Sequence, residues 1–442
     1  MKIKVSLLLS LLLISACGSN DDSSDSPIDT GLPAAGSTTI DSHDCAAAAA
    51  AAEDFYLPPD PLPQGQPGDV IRCQPINTLH SLQATGTLVM YLSTDVHGEP
   101  IAVTGVVFDP LLPWADDGPR PLVGHTHGTY GQGAQCASSR MMADVLHYEP
   151  LLDGFIAYES MIIPDLLARG FAVAATDYQR FATPGVHSFL NRTEQAHANI
   201  DIVRAARRLP DTSLATQGPV AFMGYSQGGH AAAGTAELLP SYAPELDVVG
   251  VYAGAVPRSI PQLMAFNDGG AIMGVVGFYL NGLAAMYPEV EAFLETALND
   301  AGKAMRAATV EQCALEMGLN YAFQQTNSFT VSGQSLPELL ASPPLDSFVE
   351  RDRMGTVAPT APVLLAIGAN DDVVPVEGER ALLEDWCALG ASVEYYELPL
   401  PFIPIPSTFV PHAVNLPTLY YGKANQWLQD RFDGKPFTTT CP

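Results

Sequence analysis

The chain has 442 residues, and 47% of them are hydrophobic, which is enough for one large core or for a core with insertions. Its 48 acidic and 20 basic residues give a net charge of −28. This charge argues against a nucleic-acid partner, because the surface carries little that could neutralise phosphates, and it is typical of a well-solvated surface.

The first residues of the chain predict export. Two lysines precede an apolar run over residues 5–14, which is too short to be a stable membrane span. The run ends in ISAC at residues 14–17, which resembles a bacterial lipobox, where the signal is cut and the cysteine takes lipid. We expect a signal peptide over residues 1–16 and a lipid on Cys17 that holds the protein at the outer membrane or cell surface. Cleavage of an ordinary secretory signal nearby is the alternative.

The sequence after Cys17 predicts a disordered tether that is followed by a folded domain. Residues 17–40 are rich in Ser, Asp, Gly and Pro and cannot bury enough apolar surface to fold. Residues 41–442 form the predicted globular domain, which opens with a short alanine-rich helix over residues 46–52.

From residue 76 onward, strand patterns alternate with helix patterns. Two runs rich in β-branched residues, 87–94 and 101–108, lie on either side of a turn and predict an antiparallel hairpin. Further strands are expected at 121–124, 171–176, 220–223, 248–255, 363–367 and 392–398, and helices at 155–169, 193–209, 376–389 and 416–431. Such alternation predicts a mainly parallel central sheet with helices on both faces.

Residues 257–346 break this alternation with a helical sequence rich in Ala, Gly, Met and Phe. We predict a helical cap inserted between two strands of the sheet. An ordinary helical layer of the body is the alternative.

The stretch 219–239, PVAFMGYSQGGHAAAGTAELL, carries the functional interpretation. A short apolar strand meets a G-x-S-x-G motif at residues 224–228, and a helix follows at once. The motif alone is weak, since a glycine-rich turn also matches it. In this context it predicts that Ser226 stands exposed at the start of a helix, where N–H groups stabilise the negative charge of an acyl-transfer intermediate.

A serine hydroxyl becomes a good nucleophile only with a base in hydrogen-bond reach, and two histidines follow Ser226 in the chain. His230 lies on the same predicted helix and is expected to point away. His412, on a predicted loop before the last helix, is therefore the candidate base. The acid should follow the next strand, where Asp371 and Asp372 are adjacent. We favour Asp371 and keep Asp372 as the alternative.

An acyl-transfer site also needs two backbone N–H groups to bind the oxyanion. We expect one from Gln227 and the other from Gly128 or Thr129, in the loop after an earlier strand. His125 and His127 lie in the same stretch, but no carboxylate or third ligand accompanies them, so we expect neither a metal nor another cofactor.

Six cysteines remain when Cys17 is set aside: Cys45, Cys73, Cys136, Cys313, Cys387 and Cys441. An even number in an exported protein favours disulfides, and spacing alone does not choose the pairing.

Taken together, the sequence resembles the secretory lipase family of α/β-hydrolases. The segments that carry the resemblance include HGT at 127–129, GFAVAATDY at 170–178, GYSQGG at 224–229, YAPEL at 242–246 and the loop at 368–375. The resemblance implies an α/β-hydrolase fold with a helical cap. It also implies hydrolysis of carboxylic esters, from small-molecule or lipid substrates, by a Ser–Asp–His triad through an acyl-enzyme. It further implies disulfides that pair Cys136 with Cys313, Cys387 with Cys441, and Cys45 with Cys73.

Three other functions are left open by the motifs. A serine peptidase or an acyltransferase could use the same fold, although a peptidase of the prolyl-oligopeptidase kind would add a propeller, and no blade-length repeat is present. A non-catalytic surface-binding lipoprotein is the third, and the intact set of catalytic residue types argues against it.

The most apolar part of the predicted cap is residues 271–283, AIMGVVGFYLNGL. A stretch of this kind is either covered or binds something apolar, so we expect Phe278 and Leu280 to line an acyl pocket. Its three glycines would let it flex or pack closely. A rigid core helix is the alternative.

Overall fold

The computed structural model describes residues 37–38, 43–77, 82–115, 117–141, 146–149, 153–156, 161–210, 212–400 and 407–442. The predicted signal peptide, Cys17 and nearly all of the predicted tether lie outside these residues. Within the described ranges, no helix has the length and apolar character needed to cross a bilayer.

The strands and helices alternate along most of the chain. The strands are β1 Ser37–Thr38, β2 His43–Asp44, β3 Val70–Ile76, β4 Ala84–Thr94, β5 Pro100–Pro110, β6 Leu122–Thr126, β7 Leu146–Glu149, β8 Asp153–Ile156, β9 Ala172–Thr176, β10 Pro219–Tyr225, β11 Asp247–Gly254, β12 Val363–Gly368 and β13 Val393–Leu398. The helices are α1 Cys45–Ala51, α2 Ser138–Met141, α3 Ile162–Ala168, α4 Arg192–Ala206, α5 Gln227–Tyr242, α6 Ile260–Asn267, α7 Val275–Met286, α8 Pro288–Ala297, α9 Asp300–Thr309, α10 Ala314–Tyr321, α11 Leu336–Leu340, α12 Asp346–Val349, α13 Val376–Ala388, α14 Val410–Leu419 and α15 Asn425–Phe432.

Nine of these strands form one sheet in the order β13-β12-β11-β10-β6-β9-β5-β4-β3. The six strands from β13 to β9 are parallel to their neighbours, and β5, β4 and β3 continue the sheet antiparallel. Parallel neighbours need a crossover, which the helices supply, whereas β4 and β5 are joined by a short turn. The predicted hairpin is confirmed, with Leu88 opposite Val106. The architecture is the α/β-hydrolase fold.

Both faces of the sheet are covered, because successive strand residues point to opposite sides. In β12, Leu364 and Ala366 join one apolar cluster with α3, α14, α15 and the inserted helices. Val363 and Leu365 join the other cluster, with α4, α5 and α13. The sheet is therefore a rigid layer that presents the carboxyl ends of its parallel strands along one edge.

Helices α6 to α12 are inserted between β11 and β12. The apolar helix α7 packs against α8 and α9, and Phe278 and Leu280 are both 0% exposed. A Cβ atom at Gly282 would lie 3.0 Å from the carbonyl oxygen of His187, so this helix packs closely on a neighbouring backbone. This burial favours the core-helix alternative over our expectation that the two side chains line an acyl pocket.

Two predicted helices differ from the observed elements. The prediction of a helix over 155–169 is wrong at its start, because residues 153–156 pair with β7 as strand β8 and the helix begins only at Ile162. The last helical region begins at Val410 instead of residue 416, so His412 lies in the first turn of α14 and not on a loop. Pro411 is suited to this first turn, where its missing N–H is not needed.

Three disulfides join Cys45 to Cys73, Cys136 to Cys313, and Cys387 to Cys441, which is the pairing that the resemblance implies. The first ties α1 to the edge strand β3. The second ties the segment after β6 to the start of α10 in the insertion, and the third ties α13 to the carboxyl terminus.

Candidate active site

Ser226 occupies a strained turn between the end of β10 and the start of α5. Its backbone has φ 62° and ψ −120°, in the left-handed half of conformational space that serine seldom enters. Its N–H donates to the carbonyl oxygen of Gly254 at 2.9 Å, and its own carbonyl accepts from the N–H of His230 at 2.9 Å. The turn is thus held by β11 on one side and by its own helix on the other.

The glycines around Ser226 are required by close backbone packing. A Cβ atom at Gly224 would come closer than 3.0 Å to Thr126 and to the carbonyl of Gly228. A Cβ at Gly228 would meet the backbone of Thr126, and one at Gly229 would meet the carbonyl of Gly254 at similarly short range. The motif therefore marks the place where α5 presses against the ends of β6 and β11.

Asp371 and His412 form a buried pair at the carboxyl end of β12. The ring Nδ1 of His412 lies 2.9 Å and 2.8 Å from the two carboxylate oxygens of Asp371. The Asp371 side chain is 0% exposed and that of His412 is 3% exposed. Since a carboxylate can only accept, Nδ1 donates, and the neutral imidazole then carries its lone pair on Nε2.

The carboxylate of Asp371 is held in place by other donors too. The N–H groups of Val373 and Val374 donate to its Oδ1 at 3.0 Å and 2.8 Å. Burial alone would raise the pKa of Asp371, but the neighbouring His412 and these hydrogen bonds outweigh it and hold that pKa below its usual value. The side chain is therefore a fixed negative charge behind the imidazole.

Asp372, the alternative acid, points elsewhere. Its carboxylate accepts from the N–H groups of Thr408 and Phe409, both at 2.8 Å, and from the backbone N–H of His412 at 3.2 Å. These donors lie just before α14 and in its first turn, where backbone N–H groups have no acceptor within the helix. Asp372 thus fixes the backbone that carries His412, and Asp371 contacts the ring.

Tyr225 links the serine turn to this pair, and the sequence analysis did not single it out. Its ring centroid lies 4.9 Å from that of His412. Its hydroxyl lies 2.9 Å from the backbone carbonyl of His412 and 3.2 Å from Oδ2 of Asp371. Tyr225 is a variable position of the G-x-S-x-G motif, so the pattern gave no signal for it. Through this residue, the turn that holds Ser226 contacts both Asp371 and His412.

The two predicted oxyanion segments also meet at this turn. The backbone of residues 126–127 lies directly against Gly228 and leads into Gly128, which is buried, and Thr129, which is half-buried. Gln227 is the first residue of α5, where backbone N–H groups have no acceptor within the helix. Its side-chain Nε2 donates to Nε2 of His187 at 3.0 Å, a contact that the sequence did not predict.

His125 and His127 lie in the interior beside this site. Burial lowers the pKa of His125 to about 3 and that of His127 to about 4, so both are neutral at pH 7. The ring of His127 packs against Tyr130 and Tyr178 with centroids 4.4 Å apart in each case. Among the described side chains, no group of three His, Cys, Asp or Glu residues is arranged to hold a metal ion.

Comparisons with known proteins agree with this architecture. The family model for secretory lipases matches residues 148–440. A Mycobacterium tuberculosis protein named "Probable inactive lipase" is 26% identical over 87% of this chain and 83% of its own length. Lipase A of Arthroderma benhamiae is 28% identical over 88% and 81%, and a secreted triacylglycerol lipase of Malassezia globosa is 26% identical over 88% and 83%.

Among solved structures, Candida antarctica lipase A superposes with a TM-score of 0.72 at 22% identity, and the match covers 88% of this chain and 87% of that one. At this identity the likeness concerns the fold.

Proposed function

The chain belongs to the secretory lipase family and is a carboxylic ester hydrolase, and from that premise we propose that Ser226, His412 and Asp371 act as its nucleophile, base and acid. The observation that carries the proposal is the buried bond between Asp371 and His412, packed against Tyr225 immediately before Ser226. Asp372 is not part of this set, because its carboxylate is occupied by backbone N–H groups.

The proposed reaction has two steps. Nδ1 of His412 donates its hydrogen to Asp371, so Nε2 is the nitrogen that can act as base. Nε2 takes the hydroxyl proton of Ser226 as Oγ attacks the ester carbonyl carbon. The proton then passes from Nε2 to the leaving alcohol, and the acyl group stays on Ser226. In the second step Nε2 takes a proton from water, the hydroxide attacks the acyl carbon, and the proton returns to Oγ as the carboxylic acid leaves.

For the oxyanion, we propose the backbone N–H of Gln227 and that of Gly128 or Thr129. The close packing of residues 126–127 on Gly228 supports this, because it brings the two segments to one point. The start of α5 adds the positive end of a helix dipole at the site.

For the substrate, we propose a lipid ester. Support comes from the relatives named as triacylglycerol lipases, among them the Malassezia globosa protein. A profile of hydrolysis over p-nitrophenyl esters from acetate to palmitate tests this, and a preference for the shortest ester would argue against it.

Membership of a secretory family implies export, and we propose in addition that a lipid on Cys17 anchors the mature chain to a membrane. The support is the ISAC pattern after a short apolar run. Labelling with a radioactive fatty acid, compared between wild type and Cys17→Ser, tests it. Equal labelling of the two proteins would contradict the anchor.

Labelling with a fluorophosphonate probe tests the proposed role of Ser226 as the nucleophile. Wild type should be labelled and Ser226→Ala should not, and ester hydrolysis should be lost in parallel. Because the tuberculosis relative is named a probable inactive lipase, the second candidate function is that of a non-catalytic protein on the same fold. A folded wild-type protein that neither reacts with the probe nor hydrolyses any of the esters would support that function instead.

A further inference from the structure

A second carboxyl group is buried close to the candidate site and has no role in the mechanism above. Glu379, in the first turns of α13, is 0% exposed. Its Oε2 accepts the N–H of Val256 at 2.7 Å, whereas Oε1 has no hydrogen-bond partner among the described residues. A buried carboxylate with one backbone donor is poorly satisfied, because each of its oxygens can accept two bonds.

The charged groups that face Glu379 make ionisation harder still. Asp371 lies on the preceding loop and Glu397 on β13, and both are acidic. The neighbouring Arg380 turns outward to Glu397, with its Nη2 2.7 Å from that carboxylate. The phenols of Tyr252, Tyr225 and Tyr395 complete the titratable surroundings. No cation acts directly on Glu379 in the described part of the chain, so no partner offsets a negative charge there.

The one bond that Glu379 accepts leads back to Ser226. Val256, its donor, follows Ala255, whose φ of 47° is in the left-handed region. Ala255 in turn follows Gly254, whose carbonyl accepts the N–H of Ser226 at 2.9 Å. The hydrogen bonds at Gly254 and Val256, on either side of Ala255, thus hold two residues with strained backbones, Ser226 and Ala255. A strained backbone conformation persists only when the surrounding structure imposes it.

We infer that Glu379 is kept as a neutral carboxylic acid, with its proton on Oε1, and that it is a positioning residue for Ser226. Oε2 fixes the turn after β11, and that turn fixes the backbone of the serine. Burial raises the pKa of Glu379 well above its usual value, Asp371 and Glu397 act in the same direction, and only the N–H of Val256 opposes them. The inference rests on the proposed role of Ser226 as nucleophile.

Kinetics of Glu379→Gln and Glu379→Ala test the inference. Glutamine keeps the carbonyl that accepts from Val256 and carries no charge, so we expect kcat/KM within about twofold of wild type. Alanine removes the acceptor, and we expect kcat to fall about tenfold or more with KM little changed, because only the geometry of the reacting serine is disturbed. Glu377→Gln, on the exposed side of the same helix, is the matched control and should behave like wild type.

The pH profile separates a neutral group from an ionised one. If Glu379 is neutral, Glu379→Gln leaves the acid limb of kcat/KM where it is in wild type. If it were ionised, the same change would remove a negative charge that acts on Asp371 and would move the acid limb to lower pH. A shifted limb, or a glutamine variant as slow as the alanine variant, would overturn the inference.

Thermal melting gives a readout that does not depend on catalysis. The pKa of Glu379 is higher in the folded state than in the unfolded state. Wild type is therefore progressively destabilised as pH rises from the ordinary pKa of glutamate, about 4.5, towards the pKa of Glu379 in the folded protein. Glutamine does not titrate, so the Tm of Glu379→Gln relative to wild type should rise over that range. A constant difference would contradict a neutral Glu379. Residual hydrolysis by Ser226→Ala would contradict the proposed role of Ser226 as nucleophile. It would not affect the melting comparison, which tests only the protonation of Glu379.

Discussion

The candidate site has two halves that are built in different ways. The nucleophile half, residues 224–230, is one continuous turn in which Gly224, Gly228 and Gly229 let the backbone pack without side chains. The acid–base half joins Asp371 to His412, which are 41 residues apart, through side-chain hydrogen bonds at the end of β12.

The two halves therefore depend on different features of the chain. The first half depends on backbone shape, which a short run of glycines and one serine specifies by itself. The second depends on the direction in which two adjacent carboxylates point, and their partners set that direction. A change in the first half should therefore disturb the backbone packing and activity together, whereas a change in the second should act mainly on activity, through the orientation of the two side chains.

Asp371→Asn should have the largest effect on activity. The amide cannot hold the imidazole in the same tautomer, so we expect kcat to fall about 10⁴-fold, which is about 5.5 kcal/mol of transition-state stabilisation. Asp372→Asn, the matched control one residue away, should lose about tenfold, because it weakens only the capping of α14. Steady-state kinetics on one ester measure both, and equal losses would remove the distinction between the two carboxylates.

Gly228→Ala tests the backbone half. The new methyl group would overlap the backbone of Thr126, so we expect a loss of about 3–4 kcal/mol in the free energy of unfolding together with loss of activity. Gly318→Ala on α10 is the control, since a Cβ atom there would lie 3.7 Å from the carbonyl oxygen of Ala271, in ordinary van der Waals contact. Urea unfolding measures both variants, and a fully stable, active Gly228→Ala would show that the packing is not required.

The disulfide between Cys136 and Cys313 should matter to the site as well as to stability. It ties the segment after the predicted oxyanion loop to α10, so the double alanine variant should lose about 2–4 kcal/mol of stability and also several-fold in kcat. The Cys45–Cys73 pair lies at the far edge of the sheet, and its removal should cost stability alone. Melting curves and kcat of both double variants, measured where each is folded, decide whether that contrast holds.

Asp352 should have the smallest effect on activity, and its effect on stability should depend on pH. It is buried behind α5 and accepts from Asn191, from the N–H of Arg192 and from the hydroxyl of Tyr279. Burial raises its pKa to about 7, so the stability that it contributes is complete below the ordinary pKa of Asp and is lost as pH rises through about 7.

We therefore expect Asp352→Asn to gain about 2–3 kcal/mol over wild type when pH is raised from about 5 to about 8, with kcat unchanged. Asp346→Asn, on the neighbouring helix α12 and half-exposed, is the control. Chemical unfolding at the two pH values measures the change. A gain that is the same at both pH values would show that Asp352 does not titrate in this range.

Much of the fold could be predicted from sequence because it depends on local pattern. The alternation of strands and helices, the β4–β5 hairpin, the insertion before β12 and the turn around Ser226 are all visible in short windows of the chain. The chain order of serine, aspartate and histidine likewise singled out a small set of candidate residues, since few side chains have the required chemistry.

Only the tertiary structure decided how those candidates are arranged. The adjacent residues Asp371 and Asp372 have the same chemistry and nearly the same sequence context, and their partners across the fold distinguish them. The same holds for His412 in the first turn of α14, for the burial of Phe278, and for Glu379, whose surroundings come from β11, β13 and the loop before α13. Backbone patterns are local, whereas the direction, burial and protonation of a side chain depend on residues that only the folded chain brings near.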